Sequence, residues 1–366
     1  MTAQLATSAP QFDDAKAEAF AGNLLAMLNY GGLALAISVG HRTRLFDCMV
    51  KLPPSTSQEI ADAANLQERY VREWLNTLTV GRIVEYDPNL QTYQLPAEHA
   101  AFLTRAAESD NIATFFQHIS GLATVEDSIV RCFSDGGGVP YAEFKRFHEV
   151  MAEDSGQTIV VALEDQILPV VPGLVERLTA GIEVLDVGCG SGKAINKLAR
   201  LFPASRFTGY DFSPEAIATA TAEAVASGLT NAHFQVKDAA KIDEVERYDL
   251  ITTFDAIHDQ ARPDVVLHNI YQALRCNGGV YLMQEIRAES HVSGNLDHPL
   301  APFLYTISCM HCMTVSLAEG GMGLGTMWGR EQALSMLQQA GFKSIERQAL
   351  PHDIMNDYYI IRKGAA

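Results

Sequence analysis

Residues 184–192 read Val184-Leu185-Asp186-Val187-Gly188-Cys189-Gly190-Ser191-Gly192, and a helical pattern begins at Lys193. An apolar run carrying one acid leads straight into alternate glycines. That order predicts a buried strand, a tight turn and a helix, because glycine takes positive φ at little cost and lets backbone approach a ligand closely. In an open parallel sheet such a turn lies outside the carboxyl ends of the strands, where the strand order reverses and ligands bind. The spacing fits a dinucleotide poorly, since the third glycine of Gly-x-Gly-x-x-Gly falls at Lys193.

Outward from this turn, strand and helix alternate. Strands are expected at 183–187, 206–211, 233–237, 248–254 and 279–285, and helices at 193–202, 214–227, 263–275 and 330–340. Alternation of this kind implies a parallel sheet covered on both faces. Residues 344–349 and 357–362 read as two more strands with no helix between them, an antiparallel hairpin at one sheet edge. The fold class is therefore α/β, a Rossmann-like, mostly parallel seven-stranded sheet.

The N-terminal half differs. Ser55-Thr56-Ser57 before Gln58-Glu59 has the form of a helix cap. A second helix follows from Gln67, with Val71, Trp74, Leu75 and Leu78 apolar at helical spacing. Two strand-like runs, 82–86 and 92–95, flank the turn Asp87-Pro88-Asn89. Helix, helix, hairpin is the order of a winged helix. A further helix is expected over 108–130. The domains are expected at 12–150, mainly helical, and 156–366, holding the sheet.

The 366 residues suit two domains. A formal charge of -17 disfavours a broad, phosphate-driven grip on nucleic acid. Between 55 and 95, six acidic residues face three arginines, and Glu68 and Glu73 stand where a recognition helix would meet phosphates. Six scattered cysteines and a start without a signal-peptide pattern point to the reducing cytoplasm. Residues 19–40 carry no charge. Their asparagines, tyrosine and glycines favour a buried helix pair or a subunit interface over a membrane span, and the size of the apolar surface implies a homodimer through the N-terminal half.

Asp211 ends the strand after the glycine turn, where a carboxylate can accept both ribose hydroxyls, and Phe212 beside it can pack on adenine. Asp238 ends the next strand and can accept from an adenine amino group. Taken together, residues 183–255 resemble the motif series of class I S-adenosylmethionine-dependent methyltransferases. The resemblance implies S-adenosylmethionine as cofactor. It places Asp186, Gly188, Gly190 and Gly192 near the methionine portion, Asp211 and Phe212 near ribose and adenine, Asp238 and Ala239 near adenine, and Asp255 at the end of the series. The chain is also similar, from Gly40 onward, to a bacterial family of methyltransferases with an N-terminal winged-helix domain. That likeness is most specific at 146–155, which contains Met151, and at 294–299, which contains His298.

Phe254-Asp255-Ala256-Ile257-His258-Asp259-Gln260 follows the fourth parallel strand. In similar small-molecule O-methyltransferases a His-Asp pair here supplies the general base, usually followed by Trp where this chain has Gln260. The resemblance thus makes His258 the base, with Asp259 or Asp255 to orient it. Histidine suits proton removal near neutral pH. Tyr305, Met310 and His311, after the fifth strand, are candidates for an acceptor pocket with Met151 and His298. Residues 320–325 read as a flexible lid. Cys309, His311 and Cys312 lack the second cluster a structural zinc needs, so no metal is expected. The resulting reading is methyl transfer to a small-molecule acceptor, with oxygen ahead of nitrogen or sulfur, no nucleic acid and no membrane. The alternative is a cofactor-sensing winged-helix regulator.

Overall fold

The computed structural model describes residues 12–363 and divides into two compact units, up to Thr104 and from Arg105. In the first unit, Thr56 and Glu59 close a reciprocal capping box at the start of helix Ser57–Ala64. Helix Glu68–Val80 follows, burying Val71, Trp74, Leu75 and Leu78. Strands β1 (Glu85–Asp87) and β2 (Thr92–Gln94) pair antiparallel as the wing.

One expectation for this unit changes. Residues 19–40 form neither a helix pair nor a buried core, but most of a single 29-residue helix, Asp14–Arg42, capped by Asp13. Only its last turns are covered. Trp74 donates its indole N–H to Ala36 O at 2.8 Å, and Gly40 leaves room for the Trp74 ring. Gly22, Gly31 and Gly32 do not break the helix, because nothing crowds the chain there and its i→i−4 bonds run on. By length and composition this helix could cross a membrane, as could Ala301–Ala318.

The second unit holds the sheet. Its strands are β3 (Glu183–Val187), β4 (Arg206–Asp211), β5 (Ala232–Val236), β6 (Leu250–Phe254), β7 (Val280–Ile286), β8 (Ser344–Gln348) and β9 (Asn356–Arg362). Their order is β5-β4-β3-β6-β7-β9-β8, parallel except for β9, which runs antiparallel to both neighbours. Adjacent residues face opposite layers, as the two-residue strand period requires. Val184, Leu250 and Leu282 pack on helices Leu174–Ala180 and Lys193–Leu201. Leu185, Ile251 and Met283 pack on helices Pro263–Ala273 and Gly329–Ala340. The chain leaves β3 towards β4 and β5 and returns through β6 on the other side. The crevice outside β3 and β6 is therefore the switch point.

Residues 105–150, assigned from sequence to the first domain, belong to the second compact unit. Val139 donates its amide to Thr314 Oγ1 at 2.8 Å, and Val139 and Phe144 pack against Val315. The helical stretch expected at 108–130 is made of several short segments. Glu108 has positive φ, and regular helix is confined to Phe116–Ala123 and Glu126–Asp135. The glycine segment 320–325 is tied down rather than free. Met322 N donates to Ala261 O at 3.0 Å, Gly323 N to Ser316 Oγ at 3.1 Å and Gly325 N to His258 O at 3.2 Å.

Candidate active site

Gly188, Gly190 and Gly192 all have positive φ. A Cβ on Gly188 would meet that of Ala256 at 2.6 Å, whereas around Gly190 nothing lies within 4 Å. The turn is pressed against its own fold at one glycine and open to a ligand at the next. Tyr210 O holds the amides of Gly188 and Cys189 at 2.8 and 3.0 Å. Asp211 Oδ2 accepts from Gly190 N at 2.9 Å, and Oδ1 from Ser213 N at 2.8 Å. The carboxylate that would meet a ribose thus also braces the glycine turn. Burial pushes its pKa up against those two amide bonds. Asp186, buried below the turn, accepts from Thr252 Oγ1 at 2.7 Å. Burial raises its pKa to about 7.

Asp186, Gly188, Gly190, Asp211, Phe212, Asp255, His258 and Met151 line one cavity. The other expected site residues do not. Gly192 packs against Phe234 and Ala220. Asp238 spends its carboxylate on Ala240 N at 2.9 Å, capping the turn Ala239–Lys241, and Ala239 sits in the core. His298 Nδ1 accepts from Leu300 N at 3.2 Å. Tyr305, Met310 and His311 are displaced for a geometric reason. Helix Ala301–Ile307 turns Phe303, Leu304 and Ile307 into the cavity, and helical spacing sends Tyr305 away from them. The next turn, Ser308–Cys312, is a π-helix. Its wider i→i+5 step presents Cys312 where a regular helix would present His311. His311 instead stacks on Phe147 with ring centres 3.7 Å apart, and Met310 packs beside Val315.

His258 lies on the loop after β6, buried, at the cavity wall. Its orienting partner is neither Asp259 nor Asp255. Nδ1 lies 2.6 Å from Glu285 Oε2, near the end of β7. Glu285 is itself fixed by Ile257 N at 2.9 Å on Oε1 and by the Trp328 indole N–H at 3.2 Å on Oε2. Burial pulls the His258 pKa down, but Glu285 and Cys312 outweigh it and hold the imidazole well above its ordinary value. Burial raises Asp259 to about 6. Sequence reasoning missed Glu285, although one signal was present. It is the only ionisable acid in Val280–Ile286, a strand buried throughout, and acids almost never sit in such strands unpaired.

One side-chain atom each of Asp255, His258 and Glu285 lie within 4.8 Å of one another. A shared cation fits them poorly. Two ligands of one ion at about 2.0–2.2 Å stand roughly 3 Å apart, farther than the 2.6 Å between His258 and Glu285.

Comparison with known proteins agrees with this architecture. Residues 31–105 match a family model described as a Rv2258c-like winged HTH domain, and residues 178–341 match that of a methyltransferase domain. Malonyl-(acyl-carrier protein) O-methyltransferase of Bacillus cereus is 33% identical over 103 residues, 27% of this chain and 36% of the relative. The chain thus spans about a third of the length of the curated relatives it matches first. The structure of human N-acetylserotonin methyltransferase in complex with S-adenosylmethionine superposes with a TM-score of 0.67, at 16% identity, over 98% of this chain and 100% of that one. Mitomycin 7-O-methyltransferase superposes with a TM-score of 0.69, at 14% identity, over 96% and 100%.

Fold and site define a methyltransferase domain preceded in the same chain by a winged-helix domain. Residues 178–341 carry the methyltransferase domain, and the fold is that of solved S-adenosylmethionine-dependent methyltransferases.

Proposed function

We propose that the protein methylates a hydroxyl of a small-molecule acceptor, with His258 as the base. The observation that carries this reading is the buried His258–Glu285 pair at 2.6 Å, on the wall of the cavity that also contains the glycine turn and Asp211. S-adenosylmethionine supplies an electrophilic methyl group on a sulfonium. Asp186, Gly188, Gly190 and Asp211 would hold its methionine and ribose, and Phe212, half exposed and edge-on to Tyr141 at 5.2 Å, its adenine. With Nδ1–H donated to Glu285, Nε2 of His258 would take the acceptor's proton as the oxygen bonds to the methyl carbon and the sulfonium's carbon–sulfur bond breaks, leaving S-adenosylhomocysteine. Phe303, Leu304, Ile307 and Met151 offer an apolar wall that orients the acceptor and excludes water. Malonyl-(acyl-carrier protein) O-methyltransferase and mitomycin 7-O-methyltransferase are both named for transfer to oxygen, which supports the same choice.

The test is a screen of phenols, carboxylic acids, amines and thiols with methyl-labelled S-adenosylmethionine. The expected product is an ether from a hydroxyl acceptor. Label recovered only on nitrogen or sulfur would overturn the reading.

The first unit serves assembly rather than nucleic acid. On helix Glu68–Val80, Arg69 pairs with Glu73, and Arg72 lies 3.3 Å from Glu68, so both arginines are spent on acids of their own helix. On helix Asp14–Arg42, Phe20, Leu24, Leu25, Met27, Leu28 and Tyr30 are 50% to 73% exposed. Exposed apolar surface of this extent calls for a partner, and a second copy is the partner we propose. Light scattering should give twice the 39.9 kDa chain mass, and Leu25→Glu with Leu28→Glu should give the single mass. A wild-type monomer at micromolar concentration, or binding to vesicles, would remove the homodimer. The cysteines are all free thiols, consistent with a cytoplasmic setting.

A further inference from the structure

Asp255 lines the cavity with one carboxylate oxygen, Oδ1, that is buried and that no group of the chain bonds. It follows β6 with φ 49°, in the left-handed region that side chains rarely adopt. The turn is forced from both sides. Ala256 abuts Gly188, Ile257 N is held by Glu285, and the Asp255 amide donates to Gln284 O at 3.1 Å. The carboxylate is thereby held at the cavity wall, with Oδ1 buried and without a hydrogen-bond partner.

The ionisable groups around it are Glu285, His258, Asp353 and Asp154. Each has its own partner. Glu285 and His258 hold one another, Asp154 lies 3.3 Å from His118 Nε2, and Asp353 accepts from Tyr358 OH at 2.8 Å and Asn356 Nδ2 at 3.0 Å. Asp255 remains. A buried polar atom without a partner is costly, and where it faces a ligand cavity the ligand is the natural partner. Strained backbone at the same residue points the same way. The same cavity's lining includes the apolar side chains Ile286, Phe303, Leu304, Ile307 and Met355. The missing partner is therefore a hydrogen-bond donor, best a cation on a largely apolar body, because a cation would also offset the burial and the Glu285 charge that hold the Asp255 carboxyl well above its ordinary pKa.

We propose that Asp255 selects the acceptor by pairing with a protonated amine on it, setting the acceptor's hydroxyl against His258. The class of substrate is a small, largely apolar amino alcohol or aminophenol. This inference rests on the methyl-transfer reading and adds the acceptor's charge to it.

The test uses the full chain saturated with S-adenosylhomocysteine and two matched pairs of phenols. 2-(Aminomethyl)phenol is set against 2-ethylphenol, and tyramine against 4-propylphenol, by calorimetric titration. The amine of at least one pair should bind tenfold or more tightly than its alkyl counterpart. Asp255→Asn should bring the pair to parity with cofactor-product affinity unchanged. Asp255→Gly should do the same, since glycine accepts the positive φ and the variant should fold. Parity in the wild type for both pairs, or no binding of any of the four, overturns the inference. A tenfold loss of S-adenosylhomocysteine affinity in Asp255→Asn also overturns it and assigns Asp255 to the cofactor. Wild-type protein that fails to bind S-adenosylhomocysteine at all overturns the methyl-transfer reading itself.

Discussion

His258→Ala should lower turnover by about 10²–10⁴-fold, the range general-base removal typically spans, while S-adenosylmethionine affinity barely changes. In the proposed reaction the ring meets the acceptor's proton rather than the cofactor, so the loss should fall on kcat and kcat/KM together. His258→Gln should fare no better, because an amide hydrogen-bonds but does not take a proton at neutral pH. The pH profile adds a second readout. The base works only when neutral, and Glu285 holds its pKa well above the ordinary histidine value. The acid limb of kcat/KM should therefore lie above pH ~6.5, the unperturbed histidine value, with activity rising as pH rises through it. Glu285→Gln removes the charge that raises the pKa. Its acid limb should move to lower pH while the plateau falls, since the ring loses its anchor. Steady-state kinetics on an acceptor found by the screen will decide. Turnover within threefold of wild type in both His258 variants would leave positioning and desolvation as the source of rate.

Asp211→Ala should weaken S-adenosylmethionine binding by roughly 1.5–3 kcal/mol for each ribose hydrogen bond to the charged group that is lost, about tenfold or more per bond. The structure adds a second consequence. The same carboxylate accepts the amides of Gly190 and Ser213, so its removal leaves two donors at the glycine turn to find water. Affinity for S-adenosylhomocysteine should fall with that for the methyl donor, and the melting temperature should drop as well. Asp211→Asn should retain part of the turn's bonding and lose less stability than Ala. Calorimetric titration with S-adenosylmethionine and with NAD checks both. Unchanged affinity in Asp211→Ala, or a wild type that takes NAD and not the methyl donor, would contradict the assignment.

Much of the fold was legible because its signals are local. Gly188, Gly190 and Gly192 announce a turn of positive φ. The apolar strands and the amphipathic helices between them repeat at periods that a single sequence displays. Thr56 and Glu59 form a capping box within four residues of chain. That Asp186, Asp211 and His258 would share one cavity was legible for the same reason, since each stands at or just after the end of a readable strand, and parallel strands bring those ends to one edge.

The remainder required the fold, because it depends on residues distant in sequence or on one-residue shifts. Glu285 meets His258 only through the parallel pairing of β6 with β7, in which Phe254 stands opposite Gln284. Local reasoning saw only the neighbouring acids Asp255 and Asp259. The π-turn Ser308–Cys312 exchanges His311 for Cys312 at the cavity wall. Periodicity cannot foresee this, since one extra residue in a turn rotates everything beyond it. Residues 105–150 joined the second unit through contacts such as Val139 with Thr314, 175 positions apart. By itself the sequence determined a glycine-turn, parallel-sheet methyltransferase domain behind a winged helix, because strand ends, turns and caps are written in neighbouring residues. Which side chains meet across the sheet beside His258, and which cavity acid keeps an unpartnered oxygen, only the tertiary structure decided, because those pairings rest on strand register and helix phase.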